Sequence, residues 1–270
     1  MYKYSVLMAV YHKDNPEDFE RACLSMLQQT ISPNEFVLVC DGPLGEDLDK
    51  KIAKLAERYS NIMHIVRIPK NMGLGNALKC GVLHCKNELI ARMDADDISS
   101  PNRCEKQLHV FSKNSKLAII GTQVDEVTDR GTVLKHIVPE EHSCISQYAK
   151  NRNPFCHPSV MFVRNAVLES GNYRDVKLFE DYDLWIRMLR LGHKGYNIQE
   201  SLVKMNVDRD FYKRRGGIRY VKAIFAFNKI KRHHGVPCSM FNTISRIIVA
   251  LIPSILREKL YQSKIMRSSV

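Results

Sequence analysis

Four short apolar runs recur along the first hundred residues, Ser5 to Ala9, Phe36 to Cys40, Met63 to Ile68 and Leu89 to Met93, with a helix-like pattern between each pair. Strands separated in this way pair side by side as parallel strands joined by crossover helices. The chain is therefore expected to be α/β, with a mostly parallel central sheet flanked by helices. The intervening patterns agree. Phe19, Ala22, Cys23, Met26 and Leu27 follow the start signal Asn15-Pro16-Glu17-Asp18 at helical spacing, and further helices are expected over Leu48 to Tyr59 and Gly75 to Cys85. Parallel order leaves the C-terminal strand ends on one side, where open α/β sheets place their ligands. Ala9-Val10-Tyr11, Asp41, Asn71 to Gly75 and Asp94 to Asp97 all fall on loops at that edge.

The densest of these loops is Asp94-Ala95-Asp96-Asp97, directly behind the fourth run. In extended backbone Asp94 and Asp96 share a face, so the two can share one divalent ion, with Asp97 as hydrogen-bond acceptor or second ligand. Oxygen-only donors suit Mg²⁺ or Mn²⁺, whose remaining positions substrate phosphates commonly fill. The bland alternative is a turn or cap, with Asp97-Ile98-Ser99-Ser100-Pro101 entering the next helix. Asp41, ahead of Gly42-Pro43, is placed either to accept from an N–H-bearing ring such as uracil or to fix its own turn. Asn71-Met72-Gly73-Leu74-Gly75 opens a helix whose N-terminus can face a phosphate. Leu78 stands where a dinucleotide fingerprint needs its third glycine, which argues against a nicotinamide site.

Further along, a helix is expected from Pro101 to about Asn114, then Ala118-Ile119-Ile120-Gly121, then a less regular stretch to about Asn153 that should carry the second substrate. His157 precedes the strand-like Val160-Met161-Phe162-Val163, and its surroundings have no zinc-like spacing. Glu180, Asp181 and Asp183 open an amphipathic helix with Leu184, Met188 and Leu191 on its buried side. Acids in a first turn complement the helix dipole; alternatively one is a general base beside a metal-bound diphosphate, with Asp181 and Asp183 as rivals.

Composition excludes disorder and a collagen-like repeat: of 270 residues, 44% are hydrophobic and 26% charged. The formal net charge of +12 is uneven, because lysines and arginines crowd the stretch from Lys204 to Arg232. Such a segment implies an anionic partner. The eight cysteines form no Cys-x-x-Cys pair and read as reduced thiols; the first apolar run is too brief for a signal peptide and reads as a strand. No apolar run reaches the roughly 18 residues needed to span a bilayer. Nucleic-acid binding through the basic stretch lacks any recognised signature, so no nucleic-acid partner is expected. A nucleotidyltransferase is the enzymatic rival, separable because it releases pyrophosphate from a nucleoside triphosphate.

Taken in order, Ser5 to Tyr11, Ser25-Met26-Leu27-Gln28-Gln29-Thr30, Asp41-Gly42, Asn71-x-Gly73, Asp94-Ala95-Asp96-Asp97, His157-Pro158 and Glu180-Asp181 resemble the family 2 glycosyltransferases over about residues 4 to 205. The resemblance implies a GT-A fold and inverting transfer from a nucleotide-diphospho-sugar, commonly a UDP-sugar, with Mn²⁺ or Mg²⁺. By position it assigns the nucleobase to Ala9, Val10, Tyr11 and Asp41, and the donor side also to Asn71 and Gly73. Asp94 and Asp96, flanking Ala95, match the Asp-x-Asp element at ribose and metal. Asp181 matches the catalytic base supported by Glu180, Arg187 falls near the phosphates, and Asp97 and His157 fall on the acceptor or phosphate side. Two departures are Cys40-Asp41-Gly42-Pro43 for the common Asp-Asp-Gly-Ser turn, and Leu78 where an arginine is frequent.

The variant resembles bacterial enzymes that extend O-antigen or capsule repeat units on lipid-diphosphate-linked (polyprenyl) acceptors at the cytoplasmic membrane face. Residues 1–205 would then be the catalytic domain, 1–98 its nucleotide-sugar half and 99–205 its acceptor half. Residues 206–270 would form a basic amphipathic helical extension. Ile244, Ile247, Ile248, Leu251, Ile255 and Leu256 give that extension an apolar stripe suited to an anionic membrane surface. The expected location is cytoplasmic, peripheral on the inner membrane face.

Overall fold

The computed structural model describes residues 2–128, 131, 133–207 and 209–262, with only the backbone of Arg209, Asp210, Tyr212, Ile255 and Gln262. Residues 263–270 of the expected extension lie outside the described residues. The first half alternates as the sequence pattern requires: β1 (Tyr4–Val10), α1 (Pro16–Leu27), β2 (Glu35–Asp41), α2 (Glu46–Arg58), β3 (Met63–Ile68), α3 (Leu74–His84) and β4 (Leu89–Met93). Asn15 caps α1 by accepting the amides of Glu17 and Asp18, and Pro16 occupies its first turn. Then follow β5 (Ile98–Ser99), α4 (Arg103–Lys113), β6 (Leu117–Thr128), β7 (Val133–His136), α5 (His142–Tyr148), β8 (Met161–Val163), α6 (Arg164–Glu169), α7 (Glu180–Arg190) and β9 (Lys194–Val207). Four helices close the described chain: α8 (Arg209–Arg214), α9 (Gly217–His233), α10 (Met240–Leu251) and α11 (Ser254–Gln262).

The strands form one sheet in the order β3-β2-β1-β4-β8-β6-β9-β5, with β7 hairpinned onto β6. The sheet is mixed where a mostly parallel one was expected. β3, β2, β1 and β4 run parallel, but β8 joins β4 antiparallel, and of the later pairs only β6 with β9 is parallel. The stretch after Gly121, expected to be irregular, continues β6 and turns into β7. Its strand character is hidden because Thr122, Gln123 and Glu126 are buried polar residues in place of an apolar alternation. They are satisfied internally: Gln123 donates to the Val138 carbonyl at 3.0 Å, and His136 Nδ1 lies 2.8 Å from Glu126 Oε1.

One apolar cluster fills the face covered by α1, α2 and α4, and another fills the face of α3 and α7 around Trp185. A third joins the C-terminal helices to α7, where Phe179 stacks on Phe227 at 4.6 Å and Ile186 packs with Tyr220, Ile224 and Ala250. The expected C-terminal stripe is divided between two helices because Pro253 interrupts the chain after α10.

The junction of the parallel and antiparallel halves is held by a buried arginine. Arg103, the first residue of α4, donates through Nη2 to the carbonyls of Arg92 at 2.7 Å and Val160 at 3.1 Å, and through Nε to Gln107 Oε1 at 3.2 Å. Burial lowers its pKa to about 10, so it stays charged at neutral pH. Arg103→Ala removes these donors and opens a cavity, and a loss of about 2–4 kcal/mol is expected. Urea denaturation checks this; a loss below roughly 1 kcal/mol would contradict the bracing role.

Candidate active site

The loops at the C-terminal strand ends are tied together before any ligand is considered. Asp41, last residue of β2, accepts the amides of Met72 at 2.7 Å and Gly73 at 2.9 Å, one on each oxygen. Asn71 Nδ2 returns a bond to the Asp41 carbonyl at 3.1 Å. Gly42 has φ +90°, and a Cβ there would lie 2.6 Å from the Asn71 nitrogen, so the close approach requires glycine. Asp41 thus does what the turn reading asked of it, across two loops instead of one. Its place for a nucleobase contact is narrowed by those amides.

The N-terminus of α3 then leans on the far side of the site. A Cβ on Gly75 would meet the Arg174 carbonyl at 2.5 Å and Glu180 Cβ at 3.2 Å. The helix end expected to face a phosphate therefore sits against the loop that delivers Glu180 and Asp181. On the third side, the loop after β1 is closed by Asp14, which accepts the Tyr11 amide at 2.9 Å. Burial pushes Asp14 up to about 7, and the charges of Asp94 and Asp96 add to the effect.

The Asp94–Asp97 loop divides by burial. Asp94 is 32% exposed at its side chain and Asp96 is exposed, whereas Asp97 is buried. Asp97 Oδ1 accepts the Asn206 amide at 2.8 Å, tying this loop to the end of β9, and its Oδ2 has no partner among the described residues. Desolvation by burial pushes its carboxyl well above the usual range. The expected ligand or acceptor-side role for Asp97 meets an inward-facing side chain, because the chain enters β5 at once and pairs with β9. Arg92, two residues before Asp94, grips both Asp94 oxygens with its two terminal nitrogens, Nη1 to Oδ2 at 2.6 Å. Sequence reasoning passed over this arginine; its signal was a charge inside an otherwise apolar strand.

At the start of α7, Asp181 Oδ1 accepts the Tyr182 amide at 2.7 Å and Oδ2 accepts Asn153 Nδ2 at 2.6 Å. Burial raises the Asp181 pKa against these two bonds and against the positive charges of Arg92 and Arg215, which lower it. Burial, then the neighbouring Asp181, pushes Glu180 up to about 7. Asp183, the rival base, is buried, and its Oδ2 accepts Arg187 Nε at 2.9 Å. Two residues are about 200° of helical turn, so Asp181 and Asp183 leave α7 on opposite sides. Arg187 also donates to the carbonyls of Ser170 and Asn172. It holds the loop before α7, which corrects its expected place near phosphates. His157 Nε2 lies 3.0 Å from the Tyr173 hydroxyl and its ring meets Trp185 edge-on. Burial pushes its pKa well below the usual range, so it is neutral beneath the site.

One buried guanidinium and a set of carboxylates from four separate loops therefore share one edge of the sheet. Among the described residues, no three His, Cys, Asp or Glu side chains converge to hold an ion by themselves. Two outward oxygen donors, Asp94 and Asp96, fit a hard cation that completes its shell with substrate phosphates and water. Residues 5–171 match the family described as Glycosyl transferase family 2. The chain belongs to that family. It is 38% identical over 273 residues to the Escherichia coli UDP-Gal:alpha-D-GlcNAc-diphosphoundecaprenol beta-1,3-galactosyltransferase, covering 98% of this chain and 97% of the relative. It is 33% identical over 265 residues to the amylovoran biosynthesis glycosyltransferase AmsE of Erwinia amylovora, covering 95% and 98%. Among solved structures it resembles S. aureus TarS 1-349 in complex with UDP-GlcNAc, with TM-score 0.61, 15% identity and coverage of 83% of this chain and 66% of that one. It also resembles GalNAc-T7 with UDP, GalNAc and Mn²⁺, with TM-score 0.63, 14% identity and coverage of 90% and 56%. These structures share the fold. The protein is a family 2 glycosyltransferase with a GT-A fold.

Proposed function

We propose that this glycosyltransferase moves a hexose or N-acetylhexosamine from a nucleotide-diphospho-sugar, a UDP-sugar in our reading, to a hydroxyl of a lipid-diphosphate-linked saccharide during surface-polysaccharide synthesis. The full-length similarity to enzymes named for a diphosphoundecaprenol acceptor and for amylovoran supports the acceptor class. The observation that carries the chemistry is Asp181, held by two donors at the mouth of α7 on the side of the site that Gly75 brings against α3. Asp181 takes the proton of the acceptor hydroxyl as that oxygen attacks the anomeric carbon, and the nucleoside diphosphate departs from the opposite face. Configuration inverts and no covalent enzyme intermediate forms. The α3 N-terminus and the Met72–Gly73 loop face the diphosphate, while the β1 loop and Asp41 border the base. When bound, Mn²⁺ or Mg²⁺ would be held by Asp96 and Asp94 and would supply charge stabilisation to the leaving diphosphate.

Nucleoside-diphosphate release, measured across UDP-sugars with Mn²⁺ and a diphosphate-lipid acceptor, is expected to fall at least about a hundredfold in Asp181→Asn and Asp96→Ala and on chelation. The acid limb of kcat should lie above the pKa near 4 of a free aspartate, because burial raises Asp181 and only its ionised form accepts a proton. Glu180→Gln should leave that limb in place, because Glu180, pushed up to about 7, is still protonated where Asp181 ionises. Release of pyrophosphate from a nucleoside triphosphate instead would make the enzyme a nucleotidyltransferase.

The acceptor class also accounts for the C-terminal helices. Residues 206–270 hold fourteen lysines and arginines against three acids, nearly the whole net charge of +12. On α10, Met240, Phe241, Ile244, Ile248 and Leu251 are 51 to 79% exposed and recur at helical spacing on one side. No helix of the described residues is long and apolar enough to cross a membrane. An apolar face beside a strongly basic surface suits lying on anionic lipid at the inner face of the cytoplasmic membrane. Full-length protein should sediment with phosphatidylglycerol vesicles at low salt and not with phosphatidylcholine vesicles. Phe241→Ser with Ile248→Ser should abolish this, and equal sedimentation of that variant would remove α10 as the contact.

A further inference from the structure

Arg92 occupies a place where a charged side chain is hard to keep. It lies within β4, flanked by β1 and β8, and is 1% exposed, with Leu89, Ile90, Ala91 and Met93 as apolar neighbours in its own strand. Burying a charge is costly unless it is paired, and an apolar residue at such a position is commonly as stable or more so. The two-residue repeat of the strand puts Ile90, Arg92 and Asp94 on one face, which aims the guanidinium along β4 at the next carboxylate. Both terminal nitrogens go to the two oxygens of Asp94, and Nε has no hydrogen-bond partner among the described residues. Among the described residues the fork's hydrogen bonds go to Asp94, and Asp94 is partly exposed while Arg92 is not.

A bidentate arginine fixes the plane of a carboxylate and takes one lone pair from each oxygen. A second cation approaching Asp94 meets the remaining lone pairs and a fixed positive charge a few ångströms behind them, screened little because it is buried. Resting on the reading that Asp94 and Asp96 meet the divalent ion, we infer that Arg92 is a positioning residue that holds Asp94 and offsets its charge, so that the free site takes up the ion poorly and takes it up together with the donor diphosphate. The diphosphate supplies the negative charge that Arg92 has withdrawn from Asp94. Asp96 is exposed on the same loop, two residues further on.

Mn²⁺ binding, read from the electron paramagnetic resonance of the free ion with and without UDP, tests this in wild type, Arg92→Met, Arg92→Lys and Asp96→Asn. Wild type should bind Mn²⁺ about tenfold or more tightly with UDP than without. Arg92→Met should bind Mn²⁺ alone about tenfold more tightly than wild type and lose most of the gain from UDP, while turnover falls. Arg92→Lys, which keeps a charge without the fork, should lie between them, and its value decides the matter should Arg92→Met fail to fold. A folded Arg92 variant that binds Mn²⁺ alone no better than wild type overturns the inference, as does a wild type indifferent to UDP. Asp96→Asn should bind Mn²⁺ weakly throughout; wild-type affinity there would overturn the metal-site reading itself and not the role of Arg92.

Discussion

The structure depends on how β4 is held, because this strand is both the seam of the sheet and the root of the Asp94–Asp97 loop. To one side lies the parallel half, β1, β2 and β3; to the other β8 joins antiparallel and begins the rest of the sheet. Arg103 crosses the seam from below and joins the carbonyls of Arg92 and Val160. Arg92 lies on the strand itself and fixes the first carboxylate beyond it. Two buried guanidinium groups, each desolvated at considerable cost, are thus placed under a cluster of acids that would otherwise repel one another.

That arrangement sets the electrostatics of the whole edge. Carboxylates from the β1 loop, the β4 loop and the start of α7 face one another, and burial with mutual repulsion raises Asp14 and Glu180 to about 7. Asp181 differs because an amide, Asn153 and nearby positive charges favour its ionised form against the same burial. Neighbouring carboxyls with different surroundings are what a site needs when one must stay ready to accept a proton. The C-terminal helices extend the same logic outward, since α9 docks on α7 through Phe179, Tyr182 and Phe227 and so carries the basic surface next to the start of α7.

The strands and helices of the first half were legible in the sequence because parallel β4 and its neighbours are apolar runs and their crossover helices are amphipathic. The later strands were not, since β6 buries Thr122, Gln123 and Glu126 where an apolar alternation would mark a strand, with Gln123 satisfied by Gln199 and Val138, and β7 is short and no more than half-buried. Strand parity places Asp94 on the face of Arg92, but β4 ends at Met93 and Asp96 lies in the turn that follows, so the face expected to be shared by Asp94 and Asp96 does not follow from the strand. Asp97, Asp183 and Arg187 were not readable either, because their burial depends on β9 and on the loop before α7, contacts far away in sequence. Asn153 escaped notice for the same reason: it meets Asp181 from 28 residues away. Arg92 left a local trace, a charge within an apolar strand, whose meaning appears only with Asp94 beside it.

The central claim is that Asp181 activates the acceptor for a direct displacement at the anomeric carbon. The most direct test is the configuration of the new glycosidic bond, read from the anomeric proton coupling constant in the NMR spectrum of product made from an α-linked UDP-sugar. A β linkage is the result predicted by single displacement. An α linkage would contradict it, and with it the assignment of Asp181 as the base.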